Sequence, residues 1–157
     1  MEANKLDPRL HFVTATAIIV KDGKFLIAKR AAHEKAFPNK WTVPGGKLVR
    51  HEYENLPHDT EYFQYYNIMD WLVRKEVREE VGVEIENVKY LTDLLFIRPD
   101  GFPVVTLSYW AVYKSGEVKL CKDLSEYAWV TAKEAEGYDL IEGITEEIEW
   151  VNKLLIA

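Results

Sequence analysis

Nine residues, KEVREEVGV at positions 75–83, decide which fold and function the sequence predicts. They place Glu76, Glu79 and Glu80 within five residues, and Gly82 follows two positions after Glu80. Because each helical residue advances about 100°, the three carboxylates share an arc of roughly 100°. Like charges at this spacing destabilise a helix by about 0.2–0.5 kcal/mol per pair, and the helix dipole disfavours anions near the C-terminus. Helix stability therefore does not explain the cluster, whereas a bound divalent cation with oxygen ligands would.

A solvated surface is the other explanation of these glutamates, since Glu-rich helix faces are common. Nearby cations could screen the charge; they are Arg74, Lys75 and Arg78. The neighbouring arc of the helix is apolar and would pack on a sheet through Val73, Val77 and Val81. The sequence upstream of the helix separates the two explanations.

The composition is typical of a globular protein with one domain, at 157 residues, 48% hydrophobic and 29% charged. Lys and Arg number 20 against 26 Asp and Glu, and the net charge of −6 argues against a nucleic-acid polymer as partner. No apolar run approaches the roughly 20 residues of a membrane span, and the N-terminus lacks a hydrophobic signal core, so neither a membrane nor export is expected. Cys121 is the only cysteine, which excludes intramolecular disulfides and favours a cytoplasmic location.

Apolar and β-branched runs predict six strands, separated by turn signals such as Asp22-Gly23 and Pro99-Asp100-Gly101. The predicted strands are residues 12–20, 24–30, 41–43, 88–97, 104–113 and 127–130. Gly45 and Gly46 are expected in a turn after the third strand.

Helical patterns cover residues 60–81, 131–136 and 145–156. Asp59 or Thr60 would cap the first helix, and Gly82 would end it in the left-handed conformation. The last helix would pack through Ile148, Val151, Leu154 and Leu155. Strands of mixed direction with helices between and after them predict an α/β layered sandwich.

The approach to the long helix is WTVPGGK at positions 41–47, and Glu52 follows Gly46 after five residues. Together with residues 75–83 this resembles the Nudix box, whose pattern is G-x5-E-x7-R-E-U-x-E-E-x-G-U with U aliphatic. The hairpin that ends in Lys29-Arg30 and the predicted strand around residues 126–130 are also similar to family members. The resemblance covers roughly residues 12–156, and it implies a Nudix-type α/β/α sandwich around a mixed β-sheet, with residues 1–157 as a single domain.

Two departures from the family pattern stand out. The spacer between Glu52 and Lys75 has 22 residues where the family has seven, which places an insertion of 15 residues at about positions 53–67. Lys75 replaces the family's arginine, and lysine is a point charge without the planar fork of a guanidinium. The structural positions of the box are Gly46, Glu52, Lys75 and Gly82. Whether Lys75 can brace the box through Glu52 is left open, and Arg74 points about 100° away on a regular helix.

The resemblance implies a metal site and a set of catalytic residues. Glu79 and Glu80 correspond to metal ligands, Glu76 to a third ligand or a water-orienting base, and the Gly45 carbonyl to a further ligand. Glycine lets backbone approach a ligand closely, and hard oxygen ligands suit Mg²⁺, with Mn²⁺ as a substitute.

The implied reaction is attack by water on a pyrophosphate bridge, helped by metal and by a carboxylate that takes the proton of the water. Candidates for this base are Glu76, Glu80, Asp123 and Glu126. Arg30, Lys47 and Glu126 are the expected substrate-binding residues, and solvated cations near strand ends are the alternative for Arg30 and Lys47.

The expected activity is cleavage of a nucleoside diphosphate linked to X, with a nucleoside triphosphate giving a monophosphate and pyrophosphate. The alternatives are an ADP-ribose or sugar-nucleotide pyrophosphatase, or a nucleotide-binding module without turnover. Isoprenoid diphosphate isomerisation is disfavoured because no cysteine lies near the box. A homodimer is expected by family resemblance alone.

The insertion is rich in aromatic residues, with four tyrosines and one phenylalanine between positions 53 and 66. One hypothesis is a lid or wall that stacks on a base. The other is an extended helix start that packs its rings on the protein body or on a second subunit. Trp41, Phe96 and Trp129 are likewise candidates either for a pocket wall or for the core.

Overall fold

Seven strands and four helices form a layered fold in the computed structural model, which describes residues 5–157. The strands are β1 (Phe12–Lys21), β2 (Lys24–Arg30), β3 (Trp41–Thr42), β4 (Gly45–Lys47), β5 (Glu84–Ile97), β6 (Pro103–Ser115) and β7 (Leu124–Val130). The helices are α1 (Arg50–Tyr53), α2 (Ile68–Val81), α3 (Ala132–Ala135) and α4 (Ile144–Ile156). All six predicted strands are present, and Asp22-Gly23 forms the predicted hairpin turn with positive φ at both residues.

The strands form one mixed sheet in the order β3-β2-β1-β6-β5, with β4 also paired to β1 and β7 to β2. β1 and β6 are parallel, while the other pairs are antiparallel. Helix α2 covers one face, where Val73, Val77 and Val81 are buried as predicted against alternate residues of β1. Helices α3 and α4 cover the other face. The α/β/α sandwich predicted from the sequence is confirmed.

The sheet splits beside β1. This strand pairs with β2 only at Val20 and Lys21, next to the hairpin turn. The rest of this edge of β1 pairs with β4, where Gly45 lies opposite Thr16 and Gly46 opposite Ala15. The prediction of a simple turn at these glycines is therefore wrong. They form a short strand because their backbone groups pair with the free edge of β1.

The predicted start of the long helix is also wrong. Helix α2 begins at Ile68, and its N-cap Asn67 has a φ of 58°. Phe63 has a φ of 57°, so the backbone leaves the right-handed helical region at both residues. Asp59, a predicted helix cap, instead accepts a hydrogen bond from the Tyr66 backbone N–H at 2.9 Å. The short helix α1 was not predicted.

The C-terminal helix packs through only part of the predicted face. Ile148 and Val151 are fully buried, but Leu154 and Leu155 are 53% and 40% exposed. Both lie in the last turns of α4, near its end. Between residues 5 and 157, none of the helices is long and apolar enough to cross a membrane.

Candidate active site

Strand β4 and helix α2 meet through the two glycines of the box. The backbone N–H of Gly45 donates a hydrogen bond to Glu80 Oε1 at 2.9 Å. A Cβ atom at position 46 would lie 2.2 Å from Glu76 Cδ, and one at position 45 would lie 2.4 Å from the backbone oxygen of Ala15. Only glycine therefore allows β4 to contact both its neighbouring strand and the carboxylates of α2.

The C-terminal end of α2 is held in place by its own cap and by a crossing segment. Gly82 adopts the predicted left-handed conformation with a φ of 73° and donates to the carbonyls of the last helical turn. The backbone N–H groups of Lys119 and Cys121 donate to the carbonyls of Val81 and Glu80, each at 2.9 Å. These bonds satisfy carbonyls that a helix end leaves free, and they fix the turn that carries the glutamates.

A cavity of about 340 Å³ lies between α2, β4 and the ends of β2 and β7. Its lining includes Gly45, Glu76, Glu79 and Glu80, which are the four residues that the resemblance implies as metal ligands. The rest of the lining consists of Arg30, Glu34, Cys121, Asp123 and Leu124. The structure thus brings together all the predicted ligands and one predicted phosphate-binding residue, Arg30.

Burial perturbs the carboxylates of this acidic cavity. It raises the pKa of Glu80 to about 7, and the hydrogen bond from Gly45 only partly opposes this effect. Burial also raises the pKa of Glu76, against the lowering effect of Lys75. Burying a carboxylate without a positive partner is unfavourable for folding. Two carboxylates with raised pKa values in one cavity are therefore typical of a functional site.

Lys75 contacts Glu52, the glutamate that the family's arginine position braces. Its Nζ lies 2.9 Å from Glu52 Oε2, 3.1 Å from Glu79 Oε2 and 3.2 Å from Glu76 Oε1. Burial would lower the pKa of this ammonium, but the hydrogen bonds to the three carboxylates outweigh it and raise the pKa. Lysine thus contacts the glutamate of G-x5-E in spite of the insertion. Arg74 points away, to Asp70 and to the backbone oxygen of Ile85.

The sequence predicted only some of the residues in the wall of the acidic cavity opposite α2. Strands β2 and β7 pair Arg30 with Leu124, which brings the loops after β2 and before β7 together. There Glu34 accepts from Arg30 at 3.3 Å, and His33 Nε2 lies 3.1 Å from Asp123 Oδ1. Asp123 was a candidate base, whereas His33, Glu34 and Cys121 were missed. Nothing in their local sequence marks them, since tertiary contacts bring Glu34 and Cys121 to the cavity and place His33 beside Asp123.

Several predicted residues lie elsewhere. Lys47 lies over the Phe12 ring, and Glu126 pairs with Lys29 at 3.4 Å; neither lines the acidic cavity. The aromatic candidates are outside it too. Trp41 packs against Tyr138, Trp129 packs against Tyr113, and Phe96 is exposed on β5.

The donor set fits a divalent cation. Three carboxylates and a glycine backbone converge on one cavity, and carboxylate and carbonyl oxygens are the ligands that hard divalent cations prefer. Burial raises the pKa of Glu80 to about 7, and a bound cation would stabilise the ionised form of this carboxylate.

Comparison with known proteins finds relatives along most of the chain. The nucleoside triphosphatase NudI of Escherichia coli strain UMN026 is 26% identical over 133 residues, which cover 78% of this chain and 84% of that protein. No family model matches the sequence.

Solved structures share the fold. The MutT NUDIX hydrolase of Burkholderia pseudomallei superposes with a TM-score of 0.68 and 23% identity, covering 91% of this chain and 99% of its own. The NUDIX domain of NrtR from Shewanella oneidensis, solved with ADP-ribose, has a TM-score of 0.70 and 18% identity, covering 97% and 95%. At this identity the two likenesses concern the fold.

Proposed function

We propose that this chain is a member of the Nudix hydrolase family, a metal-dependent pyrophosphohydrolase that cleaves a nucleoside triphosphate into a monophosphate and pyrophosphate. One observation carries the proposal: Glu76, Glu79 and Glu80 line the same cavity as Gly45 and Arg30. The similarity to a nucleoside triphosphatase supports the choice of substrate.

In this proposal Glu76, Glu79 and the Gly45 carbonyl hold the divalent cation, with Mg²⁺ as the cofactor and Mn²⁺ as a substitute. When bound, the cation supplies charge neutralisation at the phosphate oxygens and alignment of the attacking and leaving oxygens. The Arg30 guanidinium on the opposite wall binds phosphate oxygens of the substrate. We place the activity in a single domain and in the cytoplasm, where Cys121 stays reduced.

A carboxylate of the cavity takes the proton of the attacking water. A general base works best when its pKa is near the operating pH, and in the metal-free protein burial raises the pKa of Glu80 to about 7. The hydrogen bond with His33 holds the pKa of Asp123 below its ordinary value, which makes Asp123 the weaker base. We therefore assign the base to Glu80, with a role as metal ligand as the alternative. Unchanged Mn²⁺ affinity in Glu80→Gln would favour the base, and weakened affinity would favour the ligand.

The test is an activity panel with Mg²⁺ that includes nucleoside triphosphates, oxidised nucleotides, ADP-ribose and sugar nucleotides, with products identified by mass. A monophosphate plus pyrophosphate from one triphosphate supports the proposal. Cleavage confined to ADP-ribose or a sugar nucleotide keeps the chemistry but changes the substrate. The absence of any product, with Mn²⁺ binding demonstrated by calorimetry, would contradict the proposal and leave a nucleotide-binding module.

A further inference from the structure

Three aromatic side chains form a concave surface at the end of the sheet where β1 turns into β2. They are Tyr113 of β6 and Tyr127 and Trp129 of β7, and they line a cavity of about 370 Å³ that we call the aromatic cage. The cage shares no lining residue with the acidic cavity. Trp129 lies five residues along β7 from Leu124, which lines the acidic cavity, so the two positions are about 17 Å apart.

The walls of the cage are held in fixed orientations. Tyr113 and Trp129 stand edge to face, with ring centroids 5.9 Å apart and an angle of 88° between the planes. Both rings pack against the apolar cluster between the sheet and α2. The Tyr113 hydroxyl donates a hydrogen bond to the backbone oxygen of Gly116 at 2.6 Å, which fixes the far end of that ring. Preorganised walls reduce the entropic cost of binding, so the corner between the two rings is suited to a ligand.

The cage already holds a cation, the ammonium group of Lys21. Its Nζ lies 4.3 Å from the centroid of the Tyr113 ring and 5.8 Å from that of the Trp129 ring. Both distances lie within the range of a cation–π interaction, which is roughly 6 Å. Within residues 5–157, Lys21 forms no ion pair with a carboxylate. Ring faces, and not an opposite charge, therefore hold this ammonium group in place.

The other groups of the cage also favour a positively charged ligand. Tyr127 is 47% exposed and adds a third ring, over which no cation lies in the described part of the chain. Glu117 lines the same cavity with an exposed carboxylate, which forms no ion pair with Lys21 or with any other residue from 5 to 157. Ring faces carry partial negative charge, so together with a free carboxylate they attract a cation and disfavour an anion.

A methylated ammonium group suits this cage better than the lysine that fills it. A primary ammonium is strongly hydrated, so it loses favourable hydration when it enters an aromatic site. Quaternary ammonium groups have no N–H donors, and aromatic cages are the protein sites that recognise them. Lys21 is exposed at the end of β1 and has a flexible stem, so its ammonium group is free to move into solvent when a ligand enters.

We propose that the aromatic cage binds a methylated ammonium group, as in choline, which displaces the ammonium group of Lys21. The bound cation lies in the corner between Tyr113 and Trp129. Tyr127 closes a third side, and the Glu117 carboxylate balances the charge at the rim. This inference goes beyond the proposed hydrolase activity and does not depend on it, because none of these residues lines the acidic cavity.

The experiment measures by calorimetry how the protein binds choline and its neutral isostere, in which a tert-butyl group replaces the trimethylammonium group. We expect choline to bind about fivefold more tightly than the isostere, because ring faces attract the charge. Lys21→Ala should tighten choline binding about threefold, since the competing ammonium group is removed. Tyr127→Leu should weaken it about threefold, since one ring face is lost.

The matched control is Lys89→Ala, which should bind choline as wild type does. Lys89 also lies over an aromatic ring, with its Nζ 5.3 Å from the centroid of Trp110, but neither residue lines the cage. Lys21 and Tyr127 are exposed, so the variants at these positions should fold normally, and thermal denaturation checks this.

Five results would each overturn the proposal. They are no binding of choline by wild type, equal binding of the neutral isostere, unchanged or weaker binding by Lys21→Ala, unchanged binding by Tyr127→Leu, and altered binding by Lys89→Ala. Weaker binding by Lys21→Ala would show that the lysine recruits a ligand and does not compete with one. A short peptide that contains trimethyllysine carries the same group. If the peptide binds more tightly than choline, the source of the group is a modified protein, and if it binds more weakly, the source is a small molecule.

Discussion

Gly46 and Glu76 are in direct contact across the junction of β4 and α2, so that a Cβ atom at position 46 would lie 2.2 Å from Glu76 Cδ. The glycine of G-x5-E and the first glutamate of the helix are 30 positions apart in sequence, and they pack as a complementary pair. The Glu76 carboxylate can occupy its position in the acidic cavity because Gly46 has no side chain.

Gly46→Ala should therefore displace Glu76 and lower kcat at least tenfold, because a methyl group cannot fit beside the carboxylate without a shift. We expect a loss of unfolding free energy of about 1–3 kcal/mol, as for other overpacked sites. Gly137→Ala is the control, since a Cβ there would only touch Glu134 O at 3.5 Å. Steady-state kinetics and urea denaturation of both variants measure the effect, and full activity of Gly46→Ala would contradict it.

Glu80→Gln should reduce activity by several orders of magnitude while the protein stays folded, because Glu80 lies in the acidic cavity beside Gly45. The exposed Glu146→Gln on α4 is the matched control and should keep full activity. Unchanged turnover of Glu80→Gln, measured with the substrate identified by the panel, would reject the assignment of this site.

The stability of the metal-free protein should depend on pH through Glu80. Its folded pKa is raised to about 7 from the ordinary glutamate value of 4.5, so the folded state binds this proton more tightly than the unfolded state. The contribution to stability is therefore fully present below about pH 4.5 and is lost as pH rises toward and beyond 7, by up to about 3 kcal/mol.

Glu80→Gln removes this titration, so in EDTA it should be more stable than wild type at pH 8, with the difference shrinking as pH falls toward 5. Urea denaturation at the two pH values measures it. A variant less stable than wild type at pH 8 would mean that the carboxylate is not destabilising there.

Lys75→Met should destabilise the metal-free protein by about 1–3 kcal/mol, because Glu52, Glu76 and Glu79 would lose their shared cation. Saturating Mn²⁺ should restore part of this loss, since a bound cation would compensate the same charges. Lys75→Arg, which keeps the charge, is the control. Thermal denaturation with EDTA and with Mn²⁺ tests this, and an equal loss in both conditions would show that Lys75 acts by packing alone.

Arg30→Met should raise KM about tenfold with a smaller effect on kcat, because the guanidinium lies in the wall of the acidic cavity opposite α2. Arg98→Met is the control, since Arg98 pairs with Asp100 in the turn after β5 and does not line the cavity. A fall in kcat with unchanged KM would instead indicate that Arg30 acts only in the transition state.

The sequence by itself determined the parts of the molecule that depend on local periodicity and local chemistry. The apolar face of α2, its three glutamates and its exit at Gly82 follow from helical spacing and from the backbone freedom of glycine. The hairpin at Asp22-Gly23 follows in the same way from turn chemistry. These features need no information from distant residues.

Only the tertiary structure decided which distant residues share the acidic cavity. Gly45 and Gly46 form a strand because the edge of β1 is free beside them, and Glu34 reaches Asp123 because β2 pairs with β7. The insertion forms a loop where a helix was predicted, because hydrogen bonds within the loop replace the helical ones. Such outcomes depend on pairing between segments far apart in sequence, and local propensity does not encode that pairing.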